Sequence, residues 1–333
     1  MGFSVQRELH IDQHLTNLAI AYRPQNFIAD QIAPIVSVDK ETNSYPIFSR
    51  FEYFSIEDTA RARGTEAKKV TRSVSSANYQ VRNHALGFDV TIEDLANMDS
   101  AFRGELDLGA AKYLVGKLGL GYEKRVLTLA SLAASVSTTF VPSSAWNISG
   151  TATAPGGDPF SQVMQMIEQV QSQTGQRPNS LLLGWKAWAY MRRNFNMRNL
   201  INGVNNRGGT VARDAVASIF EVDRFLVSEA LWHTQNENTT PSSMALTANP
   251  IADKVIAYYA PMAASREDPS WMYSFRWTPN GYPAPFTVER HAYDTRKKVE
   301  TIEAGYFQDE RVTGADYAAI LSGVGSAQSN GLT

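Results

Sequence analysis

The 333-residue chain contains no cysteine. Disulfides, thiol nucleophiles and thiolate metal sites are therefore excluded, and the fold must rest on packing and assembly, which fits cytosolic synthesis. Histidine is scarce, at His10, His14, His84, His233 and His291. His10 and His14 share one face of a helix, but Asp12 lies on another, and two ligands fall short of the three or four that zinc needs. No metal site is expected. No window approaches the roughly 20 apolar residues of a membrane span, and the first twenty residues lack the basic stretch and unbroken apolar run of a signal peptide. The chain is expected to be soluble, with no membrane partner.

Catalytic signatures are missing as well. There is no G-x-S-x-G, H-E-x-x-H, G-x-x-x-x-G-K-[ST] or G-x-G-x-x-G. The Gly-rich "GKLGLG" at Gly116 to Gly121 sits inside a helical pattern, the wrong context for phosphate. The neighbouring acids Glu57/Asp58 and Glu93/Asp94 read as surface charge and capping, since glycoside hydrolysis needs carboxylates held across a cleft at about 5–10 Å. Strong charge of either sign is absent too: the formal net charge of -2 argues against a basic nucleic-acid-wrapping protein. No enzymatic activity and no cofactor are expected.

What remains is a chain that folds, with 43% hydrophobic and 19% charged residues. Its length predicts one large domain or two intimately packed ones. The opening stretch "NFIADQIAPIVSVDKETNSYPIF", Asn26 to Phe48, is rich in branched apolar residues, yet Pro34 and Pro46 forbid a central strand. An edge or an external partner is left, so residues 1–49 read as an arm. Residues 50–90 alternate, turn polar and basic, then alternate again through Tyr79, Val81, Ala85 and Leu86, which describes an extended β-hairpin.

At Thr91 the pattern becomes helical, with Thr91 and Asp94 as a weak capping box. Apolar positions follow at Leu95, Met98, Phe102, Leu106, Tyr113, Leu114, Leu118, Tyr122, Val126 and Leu132. Glycines at 104, 109, 116, 119 and 121 each cost up to about 1 kcal/mol in a helix, which predicts a bend or break near Gly116–Gly121, or close packing of a neighbour there. A second helix opens at the Asp158 cap with Pro159 at its first position and ends at Gly175. Alternating elements follow: strand "RPNSLLLG", helix "WKAWAYMRRNF", helix "TVARDAVASIF", then strands "VDRFLVS" and "DKVIAYYAP". The C-terminal third is mostly strand: "WMYSFRW", "PFTVERHAY", "KKVETIEAGYF" and "ADYAAILSG". The fold class is α+β.

Arg61, Arg63, Lys68, Lys69 and Arg72 form the densest charge cluster. It reads as a solvated loop, as a nucleic-acid contact that lacks aromatics for stacking, or as a partner surface for acidic groups, which a projecting hairpin tip suits. Trp271, Trp277 and Tyr282 read as strand core, or as the lining of a carbohydrate pocket in a soluble α+β protein.

The order of parts resembles the major capsid proteins of tailed double-stranded-DNA phages, with the Hong Kong ninety-seven type fold. The residues that carry it are "ADQIAPIVSVDKETNSYPIF", the Arg61 to Arg72 hairpin, "TIEDLANMD", "NSLLLGWKAWAYMRRN" and "VETIEAGYFQDERVTGADYAAIL", spread over nearly the whole chain. The resemblance implies hexamers and pentamers in an icosahedral shell around packaged DNA that is not read by sequence. It implies an N-terminal arm at 1–49, an extended loop at 50–90, and a P-domain spine helix, connector and second helix at 91–175. An A-domain at 176–264, P-domain C-terminal strands at 265–322 and a flexible tail at 323–333 complete it. Phe27, Ile32, Ile35, Val36 and Val38 of the arm, with the five basic residues of the loop, become inter-subunit contacts. The implied partners are other copies, a portal protein, a separate scaffolding protein, since a cleaved scaffolding segment has no room before Asn26, and a decoration protein. The implied location is the virion capsid, after synthesis in the host cytoplasm. Some relatives weld subunits through a Lys–Asn bond promoted by a glutamate. Lys68 and Lys69 lie in the corresponding loop, but no Asn or Glu partner is identifiable and no cross-link is expected. An encapsulin-like compartment shell shares the same fold and stays open as an alternative.

Overall fold

A computed structural model describes residues 27–47, 56, 59–61, 63–69, 75–97, 103–147, 157–202, 211–232, 249–265, 268–279, 286–291 and 293–325. Two five-stranded sheets and a long helix organise them. In the N-terminal region the elements are α1 (Ala29–Ile32), β1 (Ile35–Val38), β2 (Thr42–Ile47), β3 (Ser75–Gln80) and β4 (Arg82–Thr91). Helices α2 (Ile92–Asn97) and α3 (Arg103–Ser131) follow, then β5 (Thr138–Phe140), α4 (Pro159–Thr174), β6 (Ser180–Gly184), α5 (Trp185–Arg193) and α6 (Phe195–Asn202). The chain continues through α7 (Arg213–Phe220), β7 (Arg224–Ser228), β8 (Val255–Tyr258), β9 (Met272–Trp277), β10 (Phe286–Arg290), β11 (Val299–Val312) and β12 (Ala318–Leu321). Among the described residues, no helix is long and apolar enough to cross a membrane.

The first sheet is built on β11, which pairs antiparallel with β9, β10 and β4, while β1 adds at the edge, parallel to β9. Successive side chains of a strand point to opposite faces. Ile302, Ala304 and Tyr306 of β11 and Val288 of β10 meet Ala111, Leu114, Val115 and Leu118 of α3 on one face. On the other face, at the β9 end, the β2–β3 ribbon lays Tyr45 and Tyr79 over Val36, Val38, Tyr273 and Phe275. The Tyr79 ring stacks on Phe275 at 4.7 Å between centroids.

The second sheet runs β5-β12-β8-β6-β7. Helix α4 covers one face, with Val163, Met166, Ile167 and Val170 against Leu181, Leu183, Ala257 and Leu321. The far end of α3 and the α1 segment cover the other, where Leu182, Ile256 and Ile320 meet Val126, Leu127, Ile32 and Trp271. Burial on both faces explains why β6, β8 and β12 read as unbroken apolar runs. The sheet that holds β6, β7 and β8 also takes in β5 and β12, from either side of 176–264 in the sequence.

Several local expectations meet the fold directly. Asp158 caps α4, its carboxylate accepting from the Phe160 N–H, and Gly175 ends the helix at a left-handed φ of 66°. Helix α3 is one continuous element of 29 residues, roughly 44 Å long, without a break at its glycines. The anticipated alternative holds at Gly119, where an added Cβ would stand 2.9 Å from the Phe27 ring. The hairpin is placed differently from the sequence reading. Its paired strands are β2 and β3, and residues 82–91 leave it to pair with β11. The ribbon strands are mostly polar, each with one buried tyrosine, so their alternation is faint. Trp271 is buried and donates its indole N–H to the Ser135 carbonyl at 2.7 Å, while Trp277 packs edge-on against Phe307. They lie at opposite ends of β9, and Tyr282 lies outside the described residues.

The junction from β6 to α5 requires glycine. A Cβ on Gly184 would fall 1.9 Å from the Ile251 carbonyl oxygen and 2.3 Å from that of Ala252, both backbone atoms. Gly184→Ala is expected to cost stability at the upper end of the roughly 1–3 kcal/mol range of overpacking. Chemical denaturation of the unassembled subunit measures it.

Candidate inter-subunit surfaces

The loop between β2 and β3 carries the basic cluster. Arg61, Arg63, Lys68 and Lys69 are exposed, and Gly64, at φ 82°, turns the chain between them. Arg72 lies outside the described residues. On the same loop Ile56 is 99% exposed, an apolar side chain that the described residues of its own subunit leave uncovered.

The face of the first sheet that points away from α3 is covered by the ribbon only at the β9 end. Beyond it, Asn83, Ala85 and Gly87 of β4 are exposed on this face, while Glu289, Glu303 and Gly305 of β10 and β11 are half-buried. Glu289 and Glu303 stand directly opposite each other across β10 and β11, an arrangement of like charges that destabilises a sheet unless cations approach. The His291 ring nitrogen lies 2.8 Å from the Glu303 carboxylate. Ala85, Gly87 and Gly305 give this face a low floor, and Glu289, Glu303, Thr287 and Gly305 line a shallow trough of about 50 Å³. Sequence reasoning missed this acidic platform. Its signal was the period-two pattern of "TIEAGYF", which sends Glu303, Gly305 and Phe307 to the face opposite Ile302, Ala304 and Tyr306.

The arm residues are distributed otherwise than expected. Ile32, Val36 and Val38 are buried by their own chain at 0%, 6% and 4% exposure, so their apolar surface is not available to a neighbour. Phe27 and Ile35 are half-buried. The physical reason is that β1, starting just after Pro34, takes an edge position beside β9, with the Pro34 carbonyl accepting from the Ser274 N–H. The proline thus permits an internal edge as readily as an external one. Residues 1–26 lie outside the described residues.

This segment is held to the spine by an acid that sequence reading did not single out. Glu123 of α3 is fully buried, and one carboxylate oxygen accepts from the Ile28 and Ala29 N–H groups at 3.0 and 2.8 Å. Its other oxygen is buried without a hydrogen-bond partner among the described residues. Burial pushes its pKa up from 4.5 to about 7, against the two backbone hydrogen bonds, which pull it down, while Asp30 adds to the rise. A raised folded pKa means that the stability it confers is complete below about pH 4.5 and is lost as pH climbs through 7. Glu123 is expected to contribute a loss of roughly 1 kcal/mol per pH unit across that window, against an opposite contribution from His84. Glu123→Gln should flatten the dependence, as seen in unfolding midpoints from pH 5 to 8.

Elsewhere the spine is tied to the first sheet by Arg125, which donates to both Glu310 carboxylate oxygens at 2.9–3.2 Å and to the Tyr306 hydroxyl at 3.0 Å. Among the described residues no group of three or more metal-ligating side chains occurs. His10, His14 and His233 lie outside them. The His84 ring lies 5.5 Å from that of Tyr306 and tilted by 40°, its pKa lowered by burial and by Arg125.

No protein-family model matches the chain. The chain is 25% identical over 322 residues to the major capsid protein of Burkholderia phage BcepMu, covering 94% of this chain and 96% of that protein. A phage-related protein from Bordetella bronchiseptica superposes with a TM-score of 0.72 at 18% identity, over 95% of this chain and 98% of that one. The capsid protein of Cyanophage P-SCSP1u superposes with a TM-score of 0.57 at 13% identity, over 90% and 89%. The chain is therefore similar in sequence, along nearly its whole length, to a phage major capsid protein and has the Hong Kong ninety-seven type fold.

Proposed function

We infer that this protein is a major capsid protein that assembles, as hexamers and pentamers, into an icosahedral shell around packaged double-stranded DNA. The observation that carries the reading is the relationship to a phage major capsid protein along nearly the full length of both chains, together with the shared fold. Its role is structural rather than catalytic, its location is the virion capsid, and it is made in the host cytoplasm. DNA is enclosed without sequence-specific contacts, in keeping with the near-neutral net charge.

In this reading residues 1–49 are the N-terminal arm and 50–90 the extended loop. The spine helix, connector and second helix of the P-domain span 91–175, the A-domain spans 176–264, the closing P-domain strands span 265–322, and 323–333 is a tail. The basic loop residues, Arg61, Arg63, Lys68, Lys69 and Arg72, contact an adjacent copy. The platform around Glu289 and Glu303 supplies the opposite charge that such a loop needs. Of the arm residues, Phe27 and Ile35 keep exposed surface for a neighbour. A portal protein, a separate scaffolding protein and a decoration protein complete the partners.

Sedimentation velocity of the protein co-expressed with the scaffolding gene of its phage tests the reading. Particles of megadalton mass are expected. Persistent monomers under all particle-forming conditions would overturn it.

A further inference from the structure

Strands β6 and β7 run parallel, and β8 runs antiparallel to β6, so this part of the second sheet has two distinct ends. At the end where β6 leads into α5 and β7 leaves at Ser228, a groove of about 490 Å³ opens. Its apolar lining comes from Trp185, Trp188, Ala189 and Leu231, and Arg192 and Arg193 stand on its rim. Trp185 and Leu231 are 38% and 40% exposed, high for such side chains. Lys186 lies 5.4 Å from the Trp185 ring centre, and Glu229, the acid of the lining, is paired with Arg213 at 2.6 Å. The groove is thus apolar with a cationic rim.

At the opposite end, where β6 and β7 begin and β8 finishes, the loop after Tyr258 carries Met262 at 80% exposure. The base of this loop is pinned. Asn179 both donates to the Ala260 carbonyl at 2.7 Å and accepts from the Ala260 N–H at 3.1 Å. The Arg224 guanidinium donates to the Ala260 and Pro261 carbonyls at 2.9 and 3.3 Å. Anchoring at the base lowers the ordering cost of presenting Met262 to a partner. The same loop carries exposed Asp268.

An apolar, cation-rimmed groove at one end of a lobe and a loop at the other, anchored at its base and carrying exposed Met262 and Asp268, are complementary but cannot meet within one chain. Five-residue strands separate them by roughly 17 Å. Such head-to-tail complementarity between copies generates a ring when the rotation closes. We propose that the groove lined by Trp185, Trp188 and Leu231 receives the Met262 loop of a second copy, with Asp268 of that loop meeting Arg192 and Arg193. The proposal rests on the shell-forming reading and adds to it the lobe-to-lobe contact within a capsomer.

The absence of native cysteine makes the test direct. Leu231→Cys and Met262→Cys are introduced together, shells are purified, oxidised and run on a non-reducing gel. A disulfide needs Cα atoms within about 7 Å, which forbids an internal bond between the two ends. The expected result is a ladder from two chains up to the ring size of five or six, with each single variant remaining monomeric. Shells that form normally but give only monomer from the double variant overturn the contact while leaving the shell function intact. So does protection of Cys-labelled groove sites from maleimide in shells without any ladder, because another occupant then fills the groove. Ala189→Cys with Met262→Cys serves as the second pair, and failure of both pairs in intact shells refutes the proposal.

Discussion

Shell assembly at low salt is expected to be strongly impaired in a variant in which Arg61, Arg63, Lys68 and Lys69 are all changed to glutamate, although its subunit should fold normally. The four side chains are exposed and belong to none of the core clusters, so surface reversal there should alter subunit stability by no more than about 0.5 kcal/mol. Between copies the effect differs in kind. A loop that met acidic groups such as Glu289 and Glu303 would now present four carboxylates to them, and like charges brought together across an interface cost several kcal/mol. The concentration needed for assembly should rise at least tenfold in low salt and recover partly above about 0.5 M salt, where screening shortens to a few ångströms. Turbidity and electron microscopy across a salt series read this out. Normal particles at low salt would remove the loop from the inter-subunit contacts.

A second large effect lies at Ile32. As surface awaiting a neighbour it would tolerate truncation in the isolated subunit. As it stands, the side chain is fully buried in the cluster formed by Leu127, Ile256, Tyr258 and Trp271. Ile32→Ala should therefore lower the unfolding free energy of the unassembled subunit by about 2–5 kcal/mol, through lost transfer energy and the cavity left behind. Half-buried Ile35, on the edge strand, should lose less on the same change. Denaturant titration below the assembly concentration measures both. An Ile32→Ala subunit as stable as wild type but unable to assemble would return this residue to the interface.

The elements with strong local signals were readable from sequence: the Asp158 to Gly175 helix between its cap and its stop, the spine with its apolar stripe, and the buried apolar strands. These depend on contacts within a few residues. The elements that depended on distant partners were not. Nothing near Pro34 says that β9, over 230 residues later, offers an edge beside it, and nothing near Glu123 says that it closes on the Ile28 and Ala29 amides. The β2–β3 ribbon was misplaced because polar strands anchored by one tyrosine each carry little periodicity. The basic loop was legible as charge alone. The acidic platform was written in the alternation of β11 but becomes visible only when β10 brings Glu289 opposite Glu303.

The central claim is that this chain builds a closed shell, and a cryo-electron reconstruction of particles from the purified protein tests it most directly. The account predicts an icosahedral shell of hexamers and pentamers, with residues 61–69 of each copy lying on the β10–β11 face of another and the α1–β1 segment retained on its own spine. Particles without icosahedral order, or a shell in which that segment leaves its spine and residues 61–69 touch no other copy, would contradict it.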